Sequence, residues 1–464
     1  MPLVHAPLAQ WARVRGDAVA ISDGAHALTF AQLYAATQQR ADTLNRMQVP
    51  ATVFVDEHLD LPDQVADFLG IITSGRCAAV ANPDWSAALR ATVLASIEQQ
   101  PATPSPPQPE SPFYIGFTSG STGIPKGFRR SHQSWVASFH ACVDSFGPDA
   151  AERILAPGKI SHSLFLFGIL HGIWSGAGVV VQSRFSASHA LDTLQQGETP
   201  CLIAVPSQLV LMLVLAARRA MPAIHGVRLI LVSGARWMRE RTPELQALFP
   251  DARIIEFYGS SETSFVAWIE ANENTPSAVV GYPFPEVEID IRSGLIFVRS
   301  PMLFMDYVNV HAEATTALRA GEWLSVRDMG TIDDEGRLCL SGRQNRMIVT
   351  SSANLFPEEL EAVLESHCAI AAASVHGVAD PLRGQQVVAV LRIAPDKAGE
   401  LPCALDISAW CRARLEAFKV PKRYFICHSW DDWDMTSSGK TDHHAIGLRL
   451  AAAAPCLHPL IPLL

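Results

Sequence analysis

The apolar positions of Leu28–Met47 (LTFAQLYAATQQRADTLNRM) recur at helical spacing. A β-rich run, ATVFVDE (51–57), follows as a strand. LPDQVADFLGIITSG (61–75) then reads as a helix stopped by Gly75, and CAAVANP (77–83) as the next strand. Strand, helix, strand in that order predicts a parallel sheet with crossover helices. The alternation resumes with strands expected in RILAPG (153–158), GAGVVVQ (176–182), CLIAVP (201–206), VRLILVSG (227–234) and ARIIEFYG (252–259). The most apolar stretch, Cys201–Ala217, is interrupted by Pro206, Ser207 and Gln208 and is too short to span a bilayer; it predicts a strand, a turn and a buried helix.

Three changes of pattern divide the chain. Residues 101–112 (PATPSPPQPESP) hold six prolines and no periodic apolar positions, so they read as an extended, exposed linker. Near residue 281 the long alternation gives way to short strands, VEIDIRSGLIFVRS (287–300) and GRLCLSGR (336–343), with turns at Gly294 and Gly336. From about residue 344 a smaller α+β unit begins. It has helices in PEELEAVLESH (357–367) and DISAWCRARLEAF (406–418), and strands in AAASVHGV (371–378) and QQVVAVLRIA (385–394). There is no internal repeat.

A chain of 464 residues is long enough for two or three domains with well-buried cores. The net charge of −10, with no block of basic residues, leaves no electrostatic footprint for nucleic acid. The start, MPLVHAPLAQWARVRGD, lacks the apolar core of a secretory leader, and no stretch reads as an integral membrane segment. Nine cysteines are scattered without a C-x-x-C pair or a clustered Cys/His set, which argues against a zinc site and for reduced thiols in the cytoplasm. The apolar tail, AAAAPCLHPLIPLL, reads as a docked or frayed end.

The chemistry concentrates first in YIGFTSGSTGIPKGF, Tyr114–Phe128. Glycines permit close backbone approach, so successive N–H groups can face one anion. Thr118, Ser119, Ser121 and Thr122 add hydroxyl donors, Gly120 and Gly123 add freedom, and Lys126 adds a charge. The pattern is a phosphate cradle, but Gly127 after the lysine departs from the Walker sequence. A solvated Gly/Ser linker is the competing reading of the loop taken alone.

The loop resembles the phosphate-loop signature of the adenylate-forming superfamily, and further signatures follow in family order. EFYGSSETS (256–264) is similar to the family's Y-G-x-T-E motif, and GEWLSVRDMGTIDDEGRLCLSGR (321–343) to its W-x-x-T-G-D-x-G…G-R block. LFPEELE (355–361) and DMTSSGKTDHHAI (434–446) resemble the helix start and lysine loop of its C-terminal region. Weaker matches include LTFAQL, VPSQLVLML, LVSGA, VGYPFPEVEIDI and YVNVHAEAT. The resemblance implies a large N-terminal AMP-binding domain (1–342) of stacked mixed sheets with helices and a small β-barrel-like subdomain. A hinge at 343–345 and a smaller, mobile α+β domain (346–464) would follow.

It also implies a reaction in two steps, in which a carboxylate attacks the α-phosphate of ATP and a thiol then attacks the activated carbonyl. By motif position, Glu262 would bind Mg2+, a task that suits carboxylate oxygen. Lys440 would bridge the attacking carboxylate and the α-phosphate, and Thr118 acts beside them. Tyr258 would stack on adenine, with Gly259 in the same motif. Gly234 and Ala235 would bring backbone to the ring, and Ser261 would donate to the α-phosphate. Asp328 would hold the ribose hydroxyls and Arg343 would reach ribose or phosphate. Asn345 would be the hinge. Several positions depart from the family pattern. Val326 and Arg327 stand for Thr-Gly before Asp328, and Ser351 and Ser352 stand for two glycines of the loop that lines the thiol tunnel. Short members of the family, among them o-succinylbenzoate–CoA ligases, share the R-D-x-G reading.

Amino-acid activators in this family usually carry an aspartate in the segment that here starts PGKISHSLFLFG; at the corresponding spacing this chain has His162 and Ser163, with no acid nearby. A buried ammonium without a carboxylate is costly, so the expected substrate is a small carboxylic acid lacking an α-amino group. Phe165 and Phe167 are pocket walls or core. Three readings remain at this point: an acyl- or aryl-CoA ligase, a ligase that loads the phosphopantetheine of a carrier protein, or a non-catalytic nucleotide-binding relative. Joint retention of Glu262, Asp328, Arg343 and Lys440 argues against the last.

Overall fold

Thr29 opens the first long helix, Phe30–Arg46, with a capping box: its hydroxyl takes the Gln32 N–H and the Gln32 side chain takes the Thr29 N–H. The buried side chains Phe30, Leu33, Thr37, Ala41 and Leu44 form one face, as the spacing predicts. In this computed structural model the structure describes residues 3–47, 49–97, 105–118, 125–309, 317–349, 354–380, 384–394, 403–427, 432–436, 440–452 and 457–459. The chain divides into two compact units. The first is residues 1–276, 280–290 and 297–326, and the second is 277–279, 291–296 and 327–464.

The first unit contains two sheets. In one, Val19–Ser22, Val179–Val181, Ile154–Ala156, Cys201–Ala204, Leu229–Val232 and Arg253–Ser260 lie parallel in that spatial order. Cys201–Ala204 and Leu229–Val232 are buried throughout, which explains their unbroken apolar runs. Ser264–Glu270 then returns antiparallel, and Val279–Pro283 pairs with it through Tyr282 and Pro283. The second sheet places Thr52–Phe54, Cys77–Ala79 and Pro112–Thr118 parallel, followed by antiparallel Lys126–Ser131 and Asp306–Tyr307.

Helix Pro206–Arg218 follows its strand as expected, with Pro206 at its first turn. It is amphipathic rather than buried: Leu209, Met212, Leu213 and Ala216 pack inward on Trp237, Leu245 and Phe249, while Leu211 is exposed. Linker residues 101–104 lie outside the described residues. Residues 105–111 are irregular and mostly exposed, but Pro109 and Ser111 carbonyls accept the Gln133 and His132 N–H groups, so the linker's end is tied to the next helix.

The expected barrel-like subdomain is a correction. The strands after residue 278 remain open among the described residues: Leu295–Arg299 pairs with Trp323–Ser325 on one side and with Asp328–Ile332 on the other, and no pairing closes the ring. Short strands with one-to-three-residue ladders follow the sheet's twist instead of curling shut. The turns expected at Gly294 and Gly336 are present, both glycines having positive φ.

In the second unit, Asp328–Ile332 and Leu338–Arg343 form a hairpin that leads into a 3₁₀ turn, Gln344–Arg346. Helix Pro357–Glu365 packs on the long antiparallel pair Ile370–Asp380 and Gly384–Ile393. Arg423–Cys427 joins parallel, and Leu457–Pro459 of the apolar tail docks antiparallel as the last strand. Leu360, Leu364, Val375, Leu391, Ile407 and Tyr424 form this unit's core. The helix expected over 406–418 is Ala404–Arg412, with turns after it.

Candidate active site

Open α/β sheets place ligands beyond the carboxyl ends of their parallel strands. The candidate residues of the first unit gather at such ends. Gly234 follows Leu229–Val232 with φ of +90°, and Ala235 comes next. The Ser233 hydroxyl donates to the Phe257 carbonyl at 2.9 Å, tying this loop to the strand that carries Tyr258. Glu256 accepts from the Trp237 N–H and, in a buried ion pair, from Arg239 at 2.7 Å, which anchors the far side of the loop. Tyr258 itself is half-buried.

At Gly259 the ladder to Ser264–Glu270 slips by a bulge. A Cβ there would meet the Ser264 carbonyl at 1.8 Å, so only glycine fits. Beyond it a tight turn presents Glu262. The Ser260 hydroxyl accepts the N–H groups of Glu262 and Thr263, and the Thr263 hydroxyl accepts the Ser260 N–H. Ser264 closes the turn at φ of +57°. Glu262 is 8 % exposed; its Oε1 accepts the Tyr307 hydroxyl at 2.7 Å, and its carbonyl accepts the Phe304 N–H at 2.7 Å. The turn is also gripped from below: Arg130 donates to the Ser261 carbonyl (3.1 Å) and the Met302 carbonyl (2.7 Å).

Of the phosphate loop, Ser119, Gly120, Ser121, Thr122 and Gly123 lie outside the described residues. Its two ends are described. Thr118 and Lys126 face each other across the last rung of an antiparallel pair, so the loop is the connection of a hairpin. Asn309 secures the exit: its Oδ1 accepts the Gly127 N–H at 2.8 Å and its Nδ2 donates to the Pro125 carbonyl at 2.9 Å. Burial pushes the Lys126 ammonium below its ordinary value against the upward pull of the Glu262 carboxylate, and pushes the Arg130 guanidinium down to about 10.

His162 and Ser163 begin the helix Ser163–Trp174 after the strand Ile154–Ala156. The Ser163 hydroxyl lies 3.5 Å from the Tyr114 hydroxyl on the phosphate-loop strand. His162 and Phe165 rings are 5.2 Å apart. Phe165 and Phe167 are both buried, and Phe167 packs among Trp135, Phe139, His171 and Phe265, which is core packing.

In the second unit, Asp328 and Arg343 are cross-strand partners, and Arg343 Nε donates to Asp328 Oδ1 at 3.2 Å. Arg327 adopts φ of +67°, the conformation that explains a glycine in the family pattern. Here Gln344 compensates, accepting from the Arg327 guanidinium and donating its N–H to the Arg327 carbonyl, each at 3.0 Å. Asn345 is exposed in the following turn. Ser351 and Ser352 lie outside the described residues. Lys440 is exposed in a loop held by reciprocal bonds: the Thr436 N–H donates to the Lys440 carbonyl and the Lys440 N–H to the Thr436 hydroxyl.

A buried network connects this loop's helix to the turn at Asn345. Arg346 donates to both oxygens of Glu361 (2.6 and 3.0 Å) and to Glu358. Glu361 lies 3.3 Å from His443 Nδ1, and the fully buried Ser374 hydroxyl sits 2.8 Å from both His443 Nδ1 and His376 Nε2. All partners are satisfied when His443 donates to Ser374 and Ser374 donates to His376, with both rings neutral. Burial pushes both imidazoles down to about 4. In the first unit it pushes His5, His132 and His171 to about 4, about 3 and about 4. An unfolded chain protonates its histidines near 6.5, so it binds more protons below that pH. The corresponding stability is complete above about 6.5 and is lost as pH falls toward about 4. The melting temperature should therefore drop between pH 7 and pH 5, and the drop should shrink in His443→Asn. A flat profile over that range would contradict the buried-neutral assignment.

The sequence did not single out Tyr307, Asn309, Arg130, Glu361 or His443. Tyr307 and Asn309 open the weakly matching YVNVHAEAT block, and Arg130 lies four residues after the loop lysine; those positions were the available signal.

Comparison with known proteins gives the family and the fold. The model of the AMP-binding enzyme family matches residues 88–308, and that of the AMP-binding enzyme C-terminal domain matches 359–440. The uncharacterized acyl–CoA ligase YhfT of Bacillus subtilis is 36% identical over 365 residues, 75% of this chain and 71% of the relative. The chloroplastic/peroxisomal 2-succinylbenzoate–CoA ligase of Arabidopsis thaliana is 31% identical over 366 residues, 70% of this chain and 65% of the relative. The solved o-succinylbenzoate CoA synthetase MenE of Bacillus subtilis, in complex with its acyl-adenylate intermediate, superposes with a TM-score of 0.81. That match is 22% identical and covers 96% of this chain and 98% of that one, which supports the fold.

The chain belongs to the AMP-binding, adenylate-forming enzymes. Within them it is an AMP-forming acid–thiol ligase of the acyl-CoA synthetase type. Among the described residues, no helix is long and apolar enough to cross a membrane.

Proposed function

We propose that this chain converts a small carboxylic acid without an α-amino group into its acyl-adenylate and passes the acyl group to CoA in the cytoplasm. The observation that carries the reading is the Glu262 turn, a buried carboxylate held at the carboxyl end of Arg253–Ser260 and tied through Tyr307 to the strand that leaves the phosphate loop. Lys126 and Arg130 are both buried near Glu262, and their positive charge suits a polyphosphate.

The donor set fits Mg2+, a hard cation that takes carboxylate oxygen and keeps its remaining positions for water and phosphate. Glu262 is the residue that would hold it, and the ion when bound would screen phosphate oxygens from the incoming carboxylate. The chain's own groups do the rest. Thr118, Lys126 and the loop between them bind the phosphates. Tyr258, Gly234 and Ala235 form the adenine seat, and Ser261 offers a donor to the α-phosphate. Asp328 and Arg343 serve the ribose. His162, Ser163 and Phe165 border the acid. In the first step a carboxylate oxygen bonds to the α-phosphorus and pyrophosphate leaves. In the second the thiol sulfur bonds to the acyl carbon, AMP leaves with the bonding electron pair, and the thiol proton goes to solvent.

The test is a panel of aryl and aliphatic acids, with amino acids included, scored by pyrophosphate release with CoA or a holo-carrier protein as acceptor. Mg2+-dependent release with amine-free acids, enhanced by CoA and reduced ~10²–10³-fold in Glu262→Gln, is expected. Release confined to amino acids, or thioester formed on the carrier but never on CoA, would overturn the reading.

A further inference from the structure

We infer that Tyr307 is a positioning residue for Glu262, setting which carboxylate oxygen faces a bound divalent cation; this rests on the reading of Glu262 as the metal ligand. A glutamate side chain has three rotatable bonds, and a turn fixes only its backbone. At this site the carboxylate is fixed as well. The Tyr307 hydroxyl donates to Oε1 at 2.7 Å, so that oxygen is oriented by a neutral donor.

The tyrosine is itself held by its strand, by its neighbours in sequence and by ring packing. Its strand pairs with Lys126–Ser131, with Tyr307 opposite Phe128. Its neighbour Asp306 makes a two-pronged ion pair with Arg129 at 2.8 and 2.6 Å. Two residues on, Asn309 clamps both Gly127 and Pro125 at the phosphate-loop exit. The ring packs edge-on to Phe304 at 4.9 Å, and the Phe304 N–H donates to the Glu262 carbonyl. One short segment, 306–309, thus touches the exit of the phosphate loop with one side chain and the Glu262 carboxylate with another. That shared anchor would fix the Glu262 carboxylate relative to the exit of the phosphate loop, as binding of a cation there would require.

Tyr307→Phe keeps the ring and removes the hydroxyl. Titrating Mg2+ into protein with a non-hydrolysable ATP analogue, by calorimetry, should show the half-saturating Mg2+ rising about tenfold or more. Analogue binding in EDTA and the melting temperature should stay at parental values. Glu262→Gln should weaken the Mg2+ dependence at least as much, and adding Tyr307→Phe to it should change nothing further, because the tyrosine acts through the carboxylate. Parental Mg2+ dependence in Tyr307→Phe, with loss in Glu262→Gln, overturns the positioning role alone. Parental dependence in Glu262→Gln overturns the metal-ligand reading and this inference with it. Additive losses in the double variant would place the two residues on independent paths and overturn the inference.

Discussion

Lys440→Ala should lower acyl-adenylate formation by ~10²–10³-fold while thioester formation from a supplied acyl-adenylate stays near the parental rate. The lysine sits on a loop whose backbone is closed by the Thr436 bonds and by the Met435–Thr441 bridge, and Asp442 then caps the helix His443–Ala451 through the Ala445 N–H. Truncating an exposed side chain there leaves these bonds intact, so the fold should persist. What is lost is a compact positive charge suited to two oxygens of like charge, the carboxylate and the α-phosphate. The check is single-turnover adenylate formation beside the isolated second half-reaction. A variant that forms adenylate at the parental rate would remove Lys440 from the chemistry.

Asn345→Pro should split the two half-reactions, one surviving and the other falling by at least tenfold. The Lys440 charge and the incoming thiol both need the reacting carbonyl, and a rotation between steps would serve them in turn. Residue 345 is exposed mid-way in the 3₁₀ turn Gln344–Arg346, where φ near −65° is the ordinary value and is the one proline fixes. It would resist any other conformation of Asn345, and it also disfavours the helical region for Gln344. A few such residues can absorb a domain rotation. Equal loss of both half-reactions in a folded variant, or loss in neither, would count against a hinge at this position.

The parallel core was readable because its strands are buried on both faces and so appear as unbroken apolar runs, as in Leu229–Val232. Ser264–Glu270 was not: it starts at the last residue of the EFYGSSETS motif, whose turn residues hid the strand that follows. The open order of the strands after residue 278 was equally hidden, since an open sheet and a barrel share one alternating pattern and differ only in closure. At the site, motif spacing singled out Glu262, Asp328 and Lys440 as candidates. It could not find Tyr307, 45 positions from Glu262, because that contact is made by sheet pairing rather than by local sequence. The Ser374–His443–Glu361 network was hidden for the same reason, its members coming from a strand and two helices.

On this mechanism the chain joins a carboxylate oxygen to the α-phosphorus of ATP. Each acid of the panel, labelled with 18O in its carboxylate, should be incubated with ATP, Mg2+ and CoA, and the nucleotide product weighed by mass spectrometry. For the accepted acid, AMP carrying one 18O atom from the acid is expected. Release of ADP, or of AMP without label, would contradict it.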